Sequence, residues 1–237
     1  MYILELEINL MNKFVIRLLD IIFSFVAILI LSPLLMPIII ILKFTGEGEI
    51  FYRQNRVGLG GKNFGLLKFA TMLKNSEHMG TKTLTIKGDS RILPFGKFLR
   101  KTKINELPQL FNIFFGSMSV IGPRPQTEES FNYFPEIHKK DLIKMKPGLS
   151  GIGSIIFSNE EAMLDGKEDP IKFYQNFIAP YKADLEIWYL KKNRKFILYL
   201  FLIIATVLAV IVFKKTYIFK IYKDIPPIPF KLKTYIK

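Results

Sequence analysis

Two long runs of uncharged, mainly apolar residues lie on either side of a polar middle section. Residues 21–42 form the first run, with 22 positions and no charged side chain, and residues 196–213 form the second, with 18 such positions. A helix rises about 1.5 Å per residue, so the first run would be about 33 Å long as a straight helix, enough to cross a bilayer. The pattern predicts a membrane helix for the first run.

Two prolines divide this run. Pro33, which follows Ser32, and Pro37 each remove a helical hydrogen bond and crowd the preceding turn, so we expect a kink near Ser32. Basic residues are typical of the cytoplasmic side of a membrane segment. Here they occur on both sides of the run, which a bent helix that enters and leaves by one leaflet would satisfy. A kinked helix that spans the bilayer is the alternative. The flanking basic residues are Lys13, Arg17, Lys43, Arg53 and Arg56.

The second run also has basic flanks. The tail that follows it, residues 214–237, contains seven lysines and one acidic residue. The first interpretation of residues 196–213 is a helix that crosses the membrane, which would put this basic tail outside, against the positive-inside tendency. The second is a helix that lies in the interface or dips into it, and the third is a buried core helix.

Residues 44–195, between the two runs, have the composition of a polar, basic domain. In the segment EIFYRQNRVGLGGKNFGLLKFATM, apolar and polar residues alternate on both sides of Gly60-Gly61, which predicts strand, turn and strand. Residues 91–101 mix aromatic and basic side chains in a pattern typical of an amphipathic helix that rests on a membrane surface. Residues 106–115 predict another short apolar helix.

Proline and glycine shape the rest of the middle section. Two prolines and a glycine in VIGPRP, residues 120–125, are expected to exclude regular structure. Residues 147–170 predict a long loop with an acidic stretch. Residues 171–190 predict a helix that Pro180 bends or ends.

Composition narrows the chemistry that the protein can perform. Half of the 237 residues are hydrophobic, the mean hydropathy is +0.26, and there is no cysteine. Disulfides, thiolate zinc sites and cysteine nucleophiles are therefore excluded. The net charge of +14 suits anionic partners such as phosphates or acidic lipid head groups. Two long apolar runs and the lack of a known binding module argue against a nucleic-acid-binding protein.

The stretch RKTKINELPQLFNIFFGSMSVIGPRP, residues 100–125, concentrates candidate chemistry. Asn105 is a good N-cap residue, and Glu106 in a first turn complements the helix dipole, so a capped helix is one interpretation. A helix start also offers free N–H groups to a phosphate. Arg124 lies between two prolines and presents a planar donor fork suited to phosphate; an exposed loop arginine is the alternative.

Other charged residues near these motifs are candidates for the same site. Lys68, Arg91 and Arg100 are candidates for binding phosphate, although each is as well explained as a solvated or lipid-facing side chain. Asp89 is a candidate metal ligand or a turn residue. Three further residues fit surface, core or interface positions better than a site: His78, His138 and Trp188.

Four segments, in order, resemble the bacterial sugar transferases, which are monotopic polyprenyl-phosphate phosphoglycosyl transferases that begin capsule, O-antigen or glycoprotein glycan assembly. The resemblance implies an α+β, mainly helical fold with a re-entrant, membrane-dipping helix and interfacial amphipathic helices. We therefore expect three parts: residues 1–43 with a helix broken at Ser32-Pro33, a domain of residues 44–195, and a hydrophobic segment with a basic tail at residues 196–237. The matching segments are SPLLMPIIIILKF, FYRQNRVGLGGKNFGLLKFATM, DSRILPFGKFLRKTKINELPQLFNIFFGSMSVIGPRPQ and KPGLSGIGS.

The resemblance also implies a reaction. A sugar 1-phosphate passes from a nucleotide diphosphate sugar, expected to be a UDP-sugar, to polyprenyl (undecaprenyl) phosphate, with Mg²⁺ as cofactor. In the family the first residue of an Asp-Glu pair attacks phosphorus and forms a covalent phosphosugar intermediate, while the Glu is associated with the metal. By this match Asn105 and Glu106 are the catalytic candidates, and Glu106 and Asp89 are the candidate metal ligands.

The sequence departs from the family pattern at three positions. Asn105 replaces the nucleophilic Asp, and an amide has no anionic oxygen with which to attack phosphorus. Ala70 and Ser117 stand where the family usually has Arg and Asp. The first hypothesis is a phosphoglycosyl transferase with a replaced nucleophile, or one that uses direct transfer positioned by Glu106, metal and arginines. The alternative is a catalytically degenerate member that acts as a membrane-bound interaction or scaffolding protein.

A location and a set of partners follow from the resemblance. The expected location is the bacterial inner (cytoplasmic) membrane, with the catalytic domain facing the cytoplasm. The expected partners are the nucleotide sugar, the polyprenyl phosphate and membrane lipids, and no nucleic acid. A homo-oligomer is left open.

Overall fold

The computed structural model describes residues 2–76, 89–192, 196–212 and 217–236. In these ranges the protein is mainly helical with two small two-stranded sheets, which confirms the α+β, mainly helical prediction. The strands are β1 Phe51–Val57, β2 Asn63–Phe69, β3 Ser119–Ile121 and β4 Gly148–Ser150. The helices are α1 Tyr2–Phe44, α2 Pro94–Lys101, α3 Gln109–Phe115, α4 Glu128–Asn132, α5 Glu136–Leu142, α6 Ile152–Ile156, α7 Glu160–Leu164, α8 Pro170–Phe173, α9 Ala179–Lys191, α10 Phe196–Val212 and α11 Tyr217–Ile221.

Helix α1 continues through both prolines. Pro33 has no N–H to donate to the Leu29 carbonyl, and the Ser32 hydroxyl donates to that carbonyl instead, at 2.8 Å. The helix therefore does not end at Ser32-Pro33, and its re-entrant path stays a prediction. The segment Met11–Phe44 is long and apolar enough to cross a membrane, and 17% of its most apolar window is buried.

One stripe of α1 packs against the rest of the protein along the whole apolar run. Its buried residues recur every three or four positions, apart from one step of eleven positions (about three turns) between Ser24 and Leu35, as expected for one helix face. The outer side of α1 exposes large apolar side chains, among them Phe14, Leu29, Ile30 and Met36. The buried residues are Ile16, Asp20, Ser24, Leu35, Ile38 and Leu42.

The hairpin of β1 and β2 confirms the predicted strand, turn and strand. The strands pair antiparallel from Phe51 opposite Phe69 to Val57 opposite Asn63. A short 3₁₀ turn connects them, in which Gly60 has a φ of 70°, a conformation that glycine adopts without steric cost.

The predictions of an irregular VIGPRP and of a loop over residues 147–170 are wrong in part. β3 includes Val120 and Ile121 and pairs parallel with β4, and residues 147–170 also contain α6 and α7. The glycines taken as loop signals allow this pairing, because a Cβ on Gly148 would lie 2.1 Å from the Gly122 nitrogen. The Gly122 N–H donates to the Ser150 carbonyl at 2.8 Å, so regular structure ends only where Pro123 begins the next loop.

The helices predicted for residues 91–101 and 171–190 are present. α2 begins at Pro94, a residue that is well suited to a first helical position. Pro180 neither bends nor ends α9 but lies in its first turn. A π-helical turn, Tyr174–Ile178, leads directly into this helix.

Helix α10 is buried along one face, as the core-helix interpretation of the second apolar run predicts. Tyr199, Leu202 and Ala205 are buried in the same core that includes α6 and α9. The opposite face is exposed and apolar, with Ile197 and Ile204 among its residues. Whether this face contacts lipid stays a prediction.

Candidate functional site

An ion pair between Glu106 and Arg124 brings together the two motifs singled out from the sequence. Glu106 ends a 3₁₀ turn, Ile104–Glu106, that follows Lys103 in the left-handed conformation at a φ of 60°. Arg124 lies in the loop after β3. Its Nη2 donates to Glu106 Oε1 at 3.2 Å, with side chains 48% and 20% exposed, respectively. Both groups are therefore accessible to a ligand from solvent.

Strand β1 holds the loop that carries Arg124. Arg56 Nη1 donates to the Pro125 carbonyl at 3.2 Å, and the Val57 N–H donates to the Gln126 carbonyl at 2.9 Å. Burial lowers the pKa of Arg56 to about 10, and the neighbouring charge of Arg124 contributes. The sequence analysis did not place Arg56 in the site, although it lies in a segment that carries the family resemblance.

Lys68, on β2, lies beside the ion pair. The pKa of Lys68 is lowered to about 8. Burial is the largest cause, and the charges of Arg56, Arg124 and Arg100 also lower it, while the charge of Glu106 raises it. Several cations therefore act on one another here with one carboxylate between them. Such an excess of positive charge favours a bound polyanion.

Glu106 is held in its ionised form. Burial alone would raise its pKa, but the charges of Arg124, Lys68 and Lys103 outweigh burial and the pKa lies below its ordinary value. The carboxylate is therefore charged at neutral pH. Oε1 accepts from Arg124, which leaves Oε2 for another electropositive partner.

Asn105 is buried, with 7% of its surface exposed, and its Oδ1 has no hydrogen-bond partner. The capped-helix interpretation is wrong: α3 begins after Pro108 with no side-chain cap, since a separate 3₁₀ turn places Asn105 one turn too early. An unpaired buried acceptor is costly. A hydrogen-bond donor or a cation bound there would satisfy this oxygen.

Glu106 Oε2 and Asn105 Oδ1 are oxygens of the chemical kind that binds magnesium. Mg²⁺ is usually bound by one or two protein oxygens together with substrate phosphates, and the two residues are neighbours in one 3₁₀ turn. Among the described ranges, no three His, Asp or Glu side chains group to form a metal cage. The ion would therefore rely on the phosphates of its substrate.

Asp89 and Arg91 are paired with each other. Arg91 Nη2 lies 2.6 Å from Asp89 Oδ2, and its Nε donates to both carboxylate oxygens. These hydrogen bonds lower the pKa of Asp89 to about 2. Metal binding by Asp89 and phosphate binding by Arg91 stay predictions, and either would compete with this buried pair.

Arg124 also lines a pocket that contains a second polar group. Its lining includes Ser154, Lys182 and Glu186. Lys182 pairs with Glu160, while Glu186 Oε1 accepts the Gly153 N–H at 3.1 Å. Burial raises the pKa of Glu186 to about 7. Glu160, which belongs to the acidic stretch predicted as part of the 147–170 loop, thus lies close enough to Arg124 for its charge to act on the guanidinium.

The other two departures from the family pattern, Ala70 and Ser117, lie in the framework around the site. Ala70 is buried, and its N–H donates to the Ile50 carbonyl at 2.9 Å. Ser117 closes the turn after α3, because its hydroxyl donates to the Asn112 carbonyl at 3.1 Å. Neither supplies charge to the site.

The residues assigned no site role lie apart from the ion pair or outside the described residues. His138 Nε2 lies 3.0 Å from Asp184 Oδ1. Trp188 is buried, as predicted, and its Nε1 donates to Asp224 Oδ2 at 3.0 Å. His78 lies outside the described residues.

Comparison with known proteins identifies similar sequences. A family model described as "Bacterial sugar transferase" matches residues 11–213. The chain is 34% identical over 171 residues, 71% of its length, to the UDP-glucose:undecaprenyl-phosphate glucose-1-phosphate transferase of Xanthomonas campestris pv. campestris. It is 35% identical over 188 residues, 76% of its length, to a protein of the same name from Klebsiella pneumoniae.

A shorter relative is similar over more of its own length. The chain is 32% identical over 155 residues, 60% of its length, to the exopolysaccharide production protein ExoY of Sinorhizobium fredii, of which the match covers 68%. The matches to the Xanthomonas and Klebsiella proteins cover only 35% and 40% of those proteins.

Proposed function

The chain belongs to the bacterial sugar transferase family, and from that premise we propose that it transfers a sugar 1-phosphate from a nucleotide diphosphate sugar to polyprenyl phosphate. The relatives' names, UDP-glucose:undecaprenyl-phosphate glucose-1-phosphate transferase, support a UDP-sugar and undecaprenyl phosphate as the substrates. The product would be the first lipid-linked sugar of a polysaccharide or glycoconjugate.

The observation that carries this proposal is the group formed by Glu106, Arg124 and Lys68. The Arg124–Glu106 distance of 3.2 Å and the influence of both charges on the pKa of Lys68 support a site in which two cations and a carboxylate serve one ligand. A diphosphate needs cations to offset its charge, and an arginine fork matches its oxygens.

The reaction is a displacement at the phosphorus that carries the sugar. An oxygen of the polyprenyl phosphate forms a bond to this phosphorus, the bond to the bridging oxygen breaks, and the electron pair leaves with the nucleoside monophosphate. Phosphoryl transfer depends mainly on positioning and charge stabilisation. Arg124 and Lys68 offset the charge that develops on the leaving phosphate, and Glu106 holds the guanidinium of Arg124 in place.

Magnesium is proposed as the cofactor, held by Glu106 and Asn105. When bound it would neutralise phosphate charge and draw the two phosphates into a fixed geometry. Glu106 Oε2 and Asn105 Oδ1 are the protein atoms proposed to hold it, and Arg124 stays on Glu106 Oε1.

A membrane location suits the lipid substrate, and the packing of α1 supports a re-entrant path. Arg17 and Asp20 contact α3 and β3, while Leu42 packs with residues of β2 and α2. Asp20 and Leu42 are about 33 Å apart along a straight helix, yet both touch the same folded unit. A helix that carried its ends to opposite faces of a bilayer would not allow this. The basic residues on both sides of the apolar run support docking on the cytoplasmic leaflet of the inner membrane, with the domain in the cytoplasm.

The proposed reaction is tested by supplying undecaprenyl phosphate, Mg²⁺ and a panel of UDP-sugars to the purified protein. We expect one or a few of these sugars to yield a lipid-linked diphosphate sugar and an equal amount of UMP, detected by mass spectrometry. The Glu106→Gln variant, which keeps the shape of the side chain but not its charge, serves as the matched control and should be inactive. Lack of product from all nucleotide sugars, UDP-linked or other, would reject the transferase proposal.

The re-entrant path is tested by cysteine labelling in the cysteine-free protein. Cysteines placed at Lys13 and Lys43 should both be shielded from an impermeant reagent in intact cells and be labelled after permeabilisation. A cysteine at the exposed Lys101 is the control for the cytoplasmic side. Labelling of position 13 from outside would instead indicate a spanning helix.

A further inference from the structure

Two charged residues of α1 contact the two elements that carry the site. Arg17 donates from Nη1 to the Ile113 carbonyl at 2.6 Å and from Nη2 to the Phe114 carbonyl at 2.7 Å, at the end of α3. Asp20 Oδ1 accepts the Val120 N–H at 2.7 Å and the Ser119 hydroxyl at 3.0 Å, both on β3. The two residues are one helical turn apart.

Helix α3 connects Arg17 to Glu106. The last carbonyls of a helix lack intrahelical partners and favour a nearby cation. Arg17 provides both the hydrogen-bond donors and the positive charge. Gly116 ends α3 at a φ of 92°, and a Cβ there would lie 3.1 Å from Arg17 Nη2. At its other end, α3 follows the turn that contains Glu106 through successive backbone hydrogen bonds, from the Leu110 N–H to the Leu107 carbonyl and from the Leu107 N–H to the Ile104 carbonyl.

Strand β3 connects Asp20 to Arg124. The strand ends at Ile121, three residues before Arg124. Tyr199, from α10, donates its hydroxyl to the same Asp20 Oδ1 at 2.8 Å. Three donors from two elements thus converge on one oxygen of a side chain that is 2% exposed.

We propose that Arg17 and Asp20 are positioning residues, through which the membrane helix α1 fixes Glu106 by way of α3 and Arg124 by way of β3. One helix turn then sets the separation of the two charged groups that bind the substrate diphosphate. This inference rests on the proposed function. Charged residues on an apolar helix are costly unless they are paired, and their pairing with these two elements explains their place on α1.

Hydrogen–deuterium exchange on the membrane-reconstituted protein tests the two connections separately. Arg17→Met should speed exchange in residues 104–116 and leave residues 119–126 nearly unchanged, while Asp20→Leu should show the reverse pattern. Lys13→Met, which removes an exposed charge from the same helix, should change neither segment. General destabilisation would speed exchange in both segments for both variants and would overturn the proposal.

Binding of inorganic pyrophosphate with Mg²⁺, measured by calorimetry, shows whether the site depends on these connections. We expect both variants to weaken binding about tenfold. Asp20→Asn should restore it to within about threefold, because the amide keeps the one oxygen on which all three donors converge. Normal affinity in a variant whose exchange has changed would overturn the positioning role.

Two further outcomes separate the inference from its premise. If Asp20→Leu does not fold, Tyr199→Phe removes one donor to Asp20 and should still speed exchange in residues 119–126; unchanged exchange would count against the proposal. If the unmodified protein does not bind pyrophosphate, the diphosphate-binding role proposed for Glu106 and Arg124 is rejected, while the exchange pattern still decides whether α1 holds the two segments.

Discussion

Replacing Arg124 with alanine is expected to weaken nucleotide-sugar binding on the order of a hundredfold, close to loss of detectable binding. The side chain is the half-exposed partner of Glu106, and its loss removes the donor fork and leaves Glu106 facing the substrate phosphates. Arg124→Lys should recover little of the affinity, because a lysine is a point charge that cannot donate two parallel hydrogen bonds. Calorimetry with the sugar identified in the transfer assay measures both variants.

Arg53 provides a matched control for Arg124. It lies on β1 three residues before Arg56 and therefore on the opposite face of the strand, where it is exposed. Arg53→Ala should leave the affinity within about twofold of the unmodified protein. Unchanged affinity in both Arg124 variants would remove Arg124 from the substrate site.

The second large effect concerns Asn105. Incubated with nucleotide sugar and Mg²⁺ but without lipid acceptor, the unmodified protein is expected to gain no mass and to release no stoichiometric nucleotide. Asn105 offers no anionic oxygen, and Glu106 is engaged by Arg124 and by the proposed metal. Asn105→Asp restores a carboxylate at this buried position with almost no change in volume. It should accumulate a phosphosugar adduct on residue 105, detected by intact mass and peptide mapping.

The outcomes of this experiment separate three mechanisms. If the unmodified protein transfers the sugar phosphate to lipid and forms no adduct, the mechanism is direct transfer. An adduct mapped to Glu106 would show that this carboxylate attacks and would overturn our expectation. A protein that is inert with every nucleotide sugar tried, and gains activity only as Asn105→Asp, would support the degenerate scaffold. Efficient transfer by the unmodified protein excludes that alternative, whatever the variant does.

The parts of the fold that were predicted correctly depend on local patterns. The hairpin follows from alternation around Gly60, and α2 from a short amphipathic segment that begins at a proline. The β3–β4 pair was missed because Ser119 pairs with Gly148, and three-residue strands so far apart carry no local signal. Their glycines indicate turns in the sequence but allow close backbone approach in the fold.

The site residues that lie in recognisable motifs were predicted from the sequence. Those that act through contacts with distant backbone atoms were missed. Glu106 and Arg124 stand in matched motifs and do form a pair. Arg56 reaches a carbonyl 69 residues away, and alternation along β1 indicates only which face it lies on. Asn105 was recognised as a departure from the family, but its unpaired oxygen depends on a 3₁₀ turn that no sequence pattern distinguished from a helix start.

The contacts of Asp20 have a consequence for the order of events during translation. Its partners Ser119 and Tyr199 follow it by 99 and 179 residues, which at about 5–20 residues per second corresponds to roughly 5–20 and 9–36 s of synthesis. If α1 inserts during that interval, Arg17 and Asp20 can pair only with each other, because they lie three positions apart on one helix face. Tyr199 is the last of these donors to leave the ribosome. A nascent chain stalled before residue 199 would therefore already carry Glu106 and Arg124, but not yet the complete set of contacts that holds them to the membrane helix.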